Sequence, residues 1–89
     1  MAESRTYEVR LLVTARRQLL RAPTRIRSRI GDAIRALADD PRPPGCKMLA
    51  GSTDYFRIRV GDYRVLYELR DRDVLVLVIK IGHRREVYR

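Results

Sequence analysis

The sequence feature that most constrains this fold is the Gly61-Asp62 dipeptide, which lies between two alternating segments. Residues 55–60 and 63–69 place an apolar or aromatic side chain at every second position, as strands with one buried face do. A two-residue connection of this type predicts a tight β-hairpin, because glycine accepts the positive φ angle that such turns require. The turn length also sets the strand register, pairing Val60 with Tyr63 and Arg59 with Arg64.

Directly paired residues share one face of a sheet, so this register predicts which side chains lie together. The core face would consist of Phe56, Ile58, Val60, Tyr63, Val65 and Tyr67. The opposite face would carry Tyr55, Arg57, Arg59, Arg64 and Glu68.

The opposite face has an unusual charge pattern. Arg59 and Arg64 face each other, and like charges in directly opposed positions destabilise a sheet. Glu68 lies too far along its strand to neutralise both. An anion bound between the guanidinium groups would explain the arrangement, and a phosphodiester has the required charge and oxygen geometry. For any single arginine, a solvated surface position is the alternative.

The segments before the hairpin predict one strand and two helices. Tyr7–Leu11 alternates and predicts a short strand, and residues 14–20 predict a short helix. Pro23 suits the first turn of a second helix, which Asp39-Asp40-Pro41 would end. The apolar face of that helix would comprise Ile26, Ile30, Ala33, Ile34 and Leu37.

The last strand is predicted from residues 74–81, because Val74–Ile79 is an unbroken apolar run of the kind found in central strands. The element order is then β-α-α-β-β-β. We expect a single domain over residues 1–89 with an α+β fold, in which two N-terminal helices pack on a mainly antiparallel four-stranded sheet.

The predicted register can be continued through a turn at residues 70–73, which pairs Leu69 with Val74 and Arg64 with Ile79. This continuation places Leu75, Leu77, Ile79, Ile81 and then His83 on the arginine face. His83 is the only histidine in the chain, and histidine is the residue type that exchanges protons near neutral pH. A structural or surface role is the ordinary alternative.

The charge balance indicates the kind of partner. The formal net charge is +9, and of 20 basic residues only Lys47 and Lys80 are lysines. A small domain this basic favours a polyanion, either nucleic acid or an acidic protein. We expect a cytoplasmic protein with no membrane contact, because residues 1–10 lack a signal-peptide core and Cys46 is the single cysteine. One histidine, one cysteine and scattered carboxylates predict no metal or cofactor.

Three stretches together resemble the RelE branch of the RelE/ParE toxin superfamily. They are residues 55–67 (YFRIRVGDYRVLY), residues 81–88 (IGHRREVY) and the lead-in at residues 44–51 (PGCKMLAG). The resemblance covers essentially the whole chain, and it implies the β-α-α-β-β-β fold that the element order also predicts.

The resemblance implies a toxin of a type II toxin–antitoxin system. RelE-type toxins cleave mRNA in the ribosomal A site by attack of the ribose 2′-hydroxyl on the adjacent phosphate, without a metal. They are inhibited by a cognate antitoxin, which we expect here to be an acidic, RelB-like chain. Leu11, Leu12 and Leu19 are candidates for its contact surface or for the core.

The family's basic and tyrosine positions correspond here to Arg57, Arg59, Arg64, Arg84 and Tyr88. The second-strand positions, often lysines in the family, are arginines in this chain, and arginine cannot serve as a general base. We therefore expect Arg57, Arg59, Arg64 and Arg84 to stabilise the phosphate, and Tyr88 or His83 to take the 2′-hydroxyl proton. Candidate substrate-binding residues are Tyr55, Lys47 and Arg85.

Two alternative functions remain at the sequence level. A ParE-like toxin would share the fold but inhibit DNA gyrase by binding it, and such proteins generally lack this converging basic set. A non-catalytic RNA-binding domain would fit the charge equally well. The chain offers few aromatic residues as a base-stacking platform, with one Phe and five Tyr, of which Phe56, Tyr63 and Tyr67 are predicted in the core.

Overall fold

A computed structural model of the protein describes residues 6–84. Within this range the chain forms, in order, β1 (Glu8–Leu11), α1 (Val13–Arg21), α2 (Thr24–Ala36), β2 (Lys47–Met48), β3 (Tyr55–Val60), β4 (Tyr63–Arg70) and β5 (Leu75–His83). The strands form one sheet in the order β1-β5-β4-β3-β2. The β1–β5 pair is parallel and the other pairs are antiparallel.

The predicted α+β fold, with two helices on a mainly antiparallel sheet, is confirmed. The predicted strand number is wrong by one, because the described residues form five strands. The additional strand is β2, where Lys47 pairs with Arg57 and Met48 with Phe56. Two residues flanked by Pro44-Gly45 and Ala50-Gly51 are too short to show an alternating pattern, so sequence periodicity could not reveal this strand.

The β3–β4 hairpin has the predicted register, with Arg59 paired to Arg64 and Val60 to Tyr63. Gly61 has a φ of +59°, as expected for the first central residue of a two-residue hairpin turn. A Cβ atom at Gly61 would also lie 3.2 Å from Ile26 Cδ1 of α2. Glycine is therefore required here by the backbone conformation and by the close approach of the helix.

The core lies between the helices and one face of the sheet. Ile30, Ile34 and Leu37 recur at helical spacing and point from α2 into this layer, where they are buried. The sheet contributes the predicted hairpin residues together with β5 side chains, all packed in one cluster: Phe56, Ile58, Val60, Val65, Tyr67, Leu69, Val76, Val78 and Ile81. Tyr63 packs against this cluster and is partly buried.

The β4–β5 pairing differs from the predicted one. The connection is Asp71–Val74, so Arg70 pairs with Leu75 rather than Leu69 with Val74. Relative to the predicted pairing, β5 is shifted along β4 by two residues. An even shift does not exchange the faces of a strand, so Leu75 and Leu77 stay on the face predicted for them. A β-bulge between Leu66 and Tyr67 then inserts one extra residue, Ile79, into β5. One extra residue exchanges the faces of everything that follows it.

Three contacts fix the loop between α2 and β2. The Tyr67 hydroxyl donates a hydrogen bond of 2.8 Å to the Pro41 carbonyl, and burial raises the pKa of Tyr67, so that it remains a donor. Arg42 Nη2 lies 2.8 Å from Asp71 Oδ2, and the Arg42 guanidinium stands 5.3 Å from the Phe56 ring centroid. Hydrogen bonds from Arg42 and Tyr7 lower the pKa of Asp71. The loop is therefore held against the sheet.

Within residues 6–84, neither helix combines the length and the apolar character needed to cross a membrane.

Replacing Tyr67 with Phe should destabilise the protein by about 1–2 kcal/mol, because the Pro41 carbonyl would lose its donor beside a closed core. Urea unfolding followed by far-UV circular dichroism measures this change. Tyr55→Phe is the matched control, since Tyr55 is 40% exposed. Equal stabilities of the two variants would show that the hydroxyl contact does not anchor the loop.

Candidate functional site

Besides Arg10 of β1 and Arg70 at the far end of β4, five basic residues lie on the sheet face opposite the helices, spread over four strands. We call this set the basic face; it consists of Lys47, Arg57, Arg59, Arg64 and Lys80. Cross-strand pairing joins its members, because Lys47 opposes Arg57 and Arg59 opposes Arg64. Leu66 opposes both Arg57 and Lys80, so it bridges β3 and β5. The prediction that one face of the sheet carries Arg57, Arg59 and Arg64 is confirmed.

The three arginines differ in exposure. Arg57 and Arg64 are buried, with 9% and 8% of their surface exposed, whereas Arg59 is exposed. A buried guanidinium acts through a lower effective dielectric than an exposed one, so it attracts a phosphate more strongly. Packing also restricts its rotamers, which favours bidentate hydrogen bonding in one orientation.

Glu68 lies on the same face of β4 as Arg64, and its carboxylate is ion-paired with Arg70. Glu68 Oε2 lies 3.3 Å from Arg70 Nε, and Glu68 pairs across the strands with Tyr55 and Leu77. The prediction that Glu68 is too distant to neutralise both Arg59 and Arg64 is consistent with this geometry.

Two further predicted residues border the basic face. The backbone N–H of Arg84 donates a 2.8 Å hydrogen bond to the Asp62 carbonyl, so exposed Arg84 lies beside the hairpin turn. Tyr55 lies two residues before Arg57 on the same face and is 40% exposed, which leaves its ring accessible for stacking on a base.

His83 is not on the basic face, and its predicted placement there is wrong. The bulge at Ile79 puts His83 opposite Tyr63 on the helix side of the sheet. There its ring contacts the Tyr63 ring edge to face, with centroids 5.6 Å apart. It borders a cavity that Arg25 and Arg29 of α2 also line. The sheet itself thus lies between His83 and the three arginines of the basic face, Arg57, Arg59 and Arg64.

Lys80 belongs to the basic face and was not singled out from the sequence. Its pairing with Leu66 follows from the bulge, which the sequence pattern did not reveal. The only signal was that Lys80 interrupts an otherwise apolar segment, Val74–Ile81.

Arg85 and Tyr88, the other predicted site residues, lie outside the described residues. In the range 6–84, no three His, Cys, Asp or Glu side chains are grouped as a metal site would require.

A cavity of about 620 Å³ adjoins the basic face at the open edge of β3. Strand β2 pairs with Phe56 and Arg57, and no strand formed by residues 6–84 pairs with the β3 edge at residues 58–60. Lys47, Arg57 and Arg59 line one side of the cavity. The end of α2 and the loop after it line the other side, with Ala33, Ala36, Leu37, Asp40, Pro43, Pro44 and Gly45.

The site can bind an anion in several ways but offers few groups for proton transfer. Guanidinium groups donate hydrogen bonds to phosphate oxygens and stabilise negative charge that develops on phosphorus. They cannot accept a proton from a hydroxyl group. Among the described residues of the basic face, the three arginines can therefore provide charge stabilisation only, and a proton acceptor would have to be a lysine amine, Lys47 or Lys80, or a group outside this set.

Comparisons with a family model and with a curated relative both indicate a toxin of a type II toxin–antitoxin system. The family model for the ParE toxin of type II toxin–antitoxin systems, parDE, matches residues 9–88. A curated relative, Toxin RelG of Mycobacterium tuberculosis, is 33% identical over 84 residues, covering 93% of this chain and 97% of the relative.

Solved structures agree with this result. The RelBE2 toxin–antitoxin complex of M. tuberculosis is similar with a TM-score of 0.79 and 31% identity, covering 97% of this chain and 100% of that chain. The archaeal RelE–RelB complex of Pyrococcus horikoshii OT3 has a TM-score of 0.80 and 26% identity, with 92% and 99% covered. Isolated Escherichia coli RelE, at 24% identity and a TM-score of 0.77, shares the fold over 86% of this chain and 83% of that chain. The chain is therefore a member of the RelE/ParE superfamily of type II toxin–antitoxin toxins.

Proposed function

We propose that this toxin is a ribosome-dependent endoribonuclease that cleaves mRNA in the ribosomal A site and so inhibits translation in the cytoplasm. The observation that carries the proposal is the directly opposed pair Arg59 and Arg64, next to buried Arg57. Such a pair is unfavourable in an empty sheet and favourable around a phosphodiester. The relatives are named RelG, RelBE2 and RelE, which agrees with the RelE-type resemblance from which an RNA target is inferred.

The proposed reaction is an attack of the ribose 2′-oxygen on the adjacent phosphorus. The O2′–P bond forms and the P–O5′ bond breaks, which yields a 2′,3′-cyclic phosphate and a 5′-hydroxyl. A general base accepts the 2′-hydroxyl proton, and the departing O5′ receives one. Arg57, Arg59 and Arg64 hold the phosphate oxygens and stabilise the additional negative charge of the transition state, and Arg84 assists from beside the hairpin turn. These guanidinium groups supply the stabilisation that a metal would otherwise supply.

The general base is proposed to be Tyr88. His83 was the other candidate, but it packs against Tyr63 on the helix side of the sheet, away from the arginines. A tyrosine becomes a stronger acid beside positive charges, so a cluster of arginines would favour its activation as a base.

A ParE-like gyrase inhibitor is the second candidate, because the family model that matches residues 9–88 is named for ParE. This function would require binding of a protein rather than cleavage of RNA. The basic face would then be a contact surface, and its arginines would not act on a scissile phosphate.

The partner is proposed to be an acidic, RelB-like antitoxin, as in the complexes that this fold resembles. A groove of about 570 Å³ lies between α1 and the edge strand β1, and it has a mixed lining of Val9, Leu11, Leu19 and Leu20 with Arg10 and Arg16. Leu20 is 58% exposed. Of the three predicted contact residues, Leu12 is exposed, whereas Leu11 and Leu19 pack partly against the core.

The backbone at this edge is suited to pairing with another chain. The N–H group of Glu8 donates to the carbonyl of Val74, just before β5, and that of Leu12 donates to the carbonyl of Val78 in β5. The intervening Val9 and Leu11 therefore present their backbone groups to the outer edge. An extended segment with alternating apolar and acidic residues would extend the sheet and match the flanking arginines.

Replacing Arg64 with Ala should reduce mRNA cleavage by roughly 100–1,000-fold, because one preorganised donor to the transition state is lost. Primer extension on mRNA in a purified translation system measures the cuts. Arg35→Ala, which removes an exposed α2 arginine paired with Asp32, is the charge-matched control. Thermal unfolding of each variant separates lost catalysis from lost folding.

The outcome of this assay separates the candidate functions. Ribosome-dependent cuts that persist in Arg64→Ala would contradict the assigned site. No cuts by the wild type, together with inhibited gyrase supercoiling in a parallel assay, would establish the ParE-like function. Binding of RNA without cleavage would identify a non-catalytic RNA-binding domain.

Replacing Tyr88 with Phe should slow cleavage by about 100–10,000-fold, the usual contribution of a general base. His83→Gln should leave the rate nearly unchanged, since this side chain lies on the other side of the sheet. Single-turnover rates on ribosome-bound mRNA measure both variants. A large loss in His83→Gln with full activity in Tyr88→Phe would reverse the assignment.

Replacing Leu20 with Lys should weaken antitoxin binding at least about tenfold, because an ammonium group would be buried in the groove. Ser28→Lys adds the same side chain to an exposed position of α2 and is the control. Titration calorimetry with the acidic chain encoded beside the toxin gene, in an Arg64→Ala background, measures both. Equal affinities would place the antitoxin elsewhere on the toxin.

A further inference from the structure

The cavity at the open edge of β3 has an uneven charge distribution. Lys47, Arg57 and Arg59 form its positive side. On the other side lie Asp40 and the C-terminal end of α2, which ends at Ala36. A helix C-terminus carries a partial negative charge, so it adds to the carboxylate. The two sides therefore attract opposite groups, and a simple anion would satisfy only one of them.

The wall that carries Asp40 is held in place. The Ala36 carbonyl accepts hydrogen bonds from the N–H groups of Asp39 and Asp40, at 3.2 and 3.1 Å. Asp40 Oδ1 accepts the Arg42 N–H at 3.3 Å, which orients the carboxylate. Arg42 is itself anchored to Asp71. A wall fixed in this way loses little conformational freedom when a ligand binds.

The size and lining of the cavity suit a flat heterocycle. A volume of about 620 Å³ falls within the roughly 300–1,000 Å³ typical of small-molecule sites. Ala33, Ala36 and Pro44 provide apolar surface without bulky side chains. Arg57 and Arg59 also line the cavity, from the strand that carries part of the basic face.

We propose that this cavity binds a guanine base of the RNA substrate, with Asp40 reading its Watson–Crick edge. Guanine presents two adjacent donors, N1–H and the N2 amino group, which match the two oxygens of a carboxylate. Uracil presents one donor between two acceptors. The phosphate of the same nucleotide would lie on the Arg57–Arg59 side, so that one nucleotide satisfies both ends of the cavity. The inference rests on the proposed function and adds a specificity-determining residue to it.

Asp40 has a close control in the chain itself. Asp39 is the adjacent carboxylate and is also exposed, but it does not line the cavity. Asp39→Asn and Asp40→Asn make the same chemical change one residue apart. Ala36 is exposed, so Ala36→Leu would fill the cavity without disturbing the core.

The test is a titration of the full-length, ¹⁵N-labelled toxin with 5′-GMP and with 5′-UMP, followed by amide chemical shifts. We expect GMP to shift the signals of Ala36, Gly45 and Lys47 and to bind about tenfold more tightly than UMP. Asp40→Asn and Ala36→Leu should abolish this preference, and Asp39→Asn should retain it. Equal binding of the two nucleotides, or equal effects of the two Asp→Asn variants, would overturn the inference.

Cleavage of ribosome-bound mRNA separates this inference from the proposed function. Wild-type toxin should cut guanine-containing codons faster, and Asp40→Asn should cut all codons at similar rates. Cuts without base preference in the wild type would leave the nuclease function intact and remove the guanine site. Selective GMP binding without any cuts would retain the guanine site and contradict the nuclease function.

Discussion

The two-residue turn at Gly61-Asp62 determines which side chains share each face of the sheet. Its length pairs Arg59 with Arg64 and aligns the apolar residues of both strands toward the helices. A slip of one residue would place the arginines against α2 and expose the core residues. Gly61 has a positive φ, and a Cβ atom at this position would lie 3.2 Å from Ile26 Cδ1, so the turn favours glycine.

The hairpin was predictable from the sequence because local chemistry fixes it. Alternation marks both strands, and glycine marks the turn. The β4–β5 pairing was not predictable in the same way. Residues 74–79 are all apolar, so one register buries as much hydrophobic surface as the next. The register instead depends on Val74, which adopts a left-handed conformation at φ 50°, and on the bulge at Ile79. Neither the left-handed residue nor the bulge produces a periodic pattern in the sequence.

The same distinction applies to the candidate site. Arg57, Arg59 and Arg64 could be assigned to one face because a single turn connects their strands. Lys80 and His83 could not, because their faces depend on the bulge. The cavity could not be predicted from the sequence either, because its two sides come from α2 and β3, which are distant in sequence and meet only in the folded chain. Long-range packing, rather than local propensity, creates that juxtaposition.

The basic face shows how stability and binding are linked in a small domain. Opposed arginines on neighbouring strands cost free energy in the unliganded sheet, and partial burial of Arg57 and Arg64 adds to that cost. A polyanion bound at this face, as we propose, would offset both contributions, because it would be attracted to the same charges that repel one another. Any ligand that binds only the folded state also stabilises it. A pairing that general rules disfavour can therefore persist where a phosphate is to be bound, and such local conflicts are expected at functional sites rather than in the core.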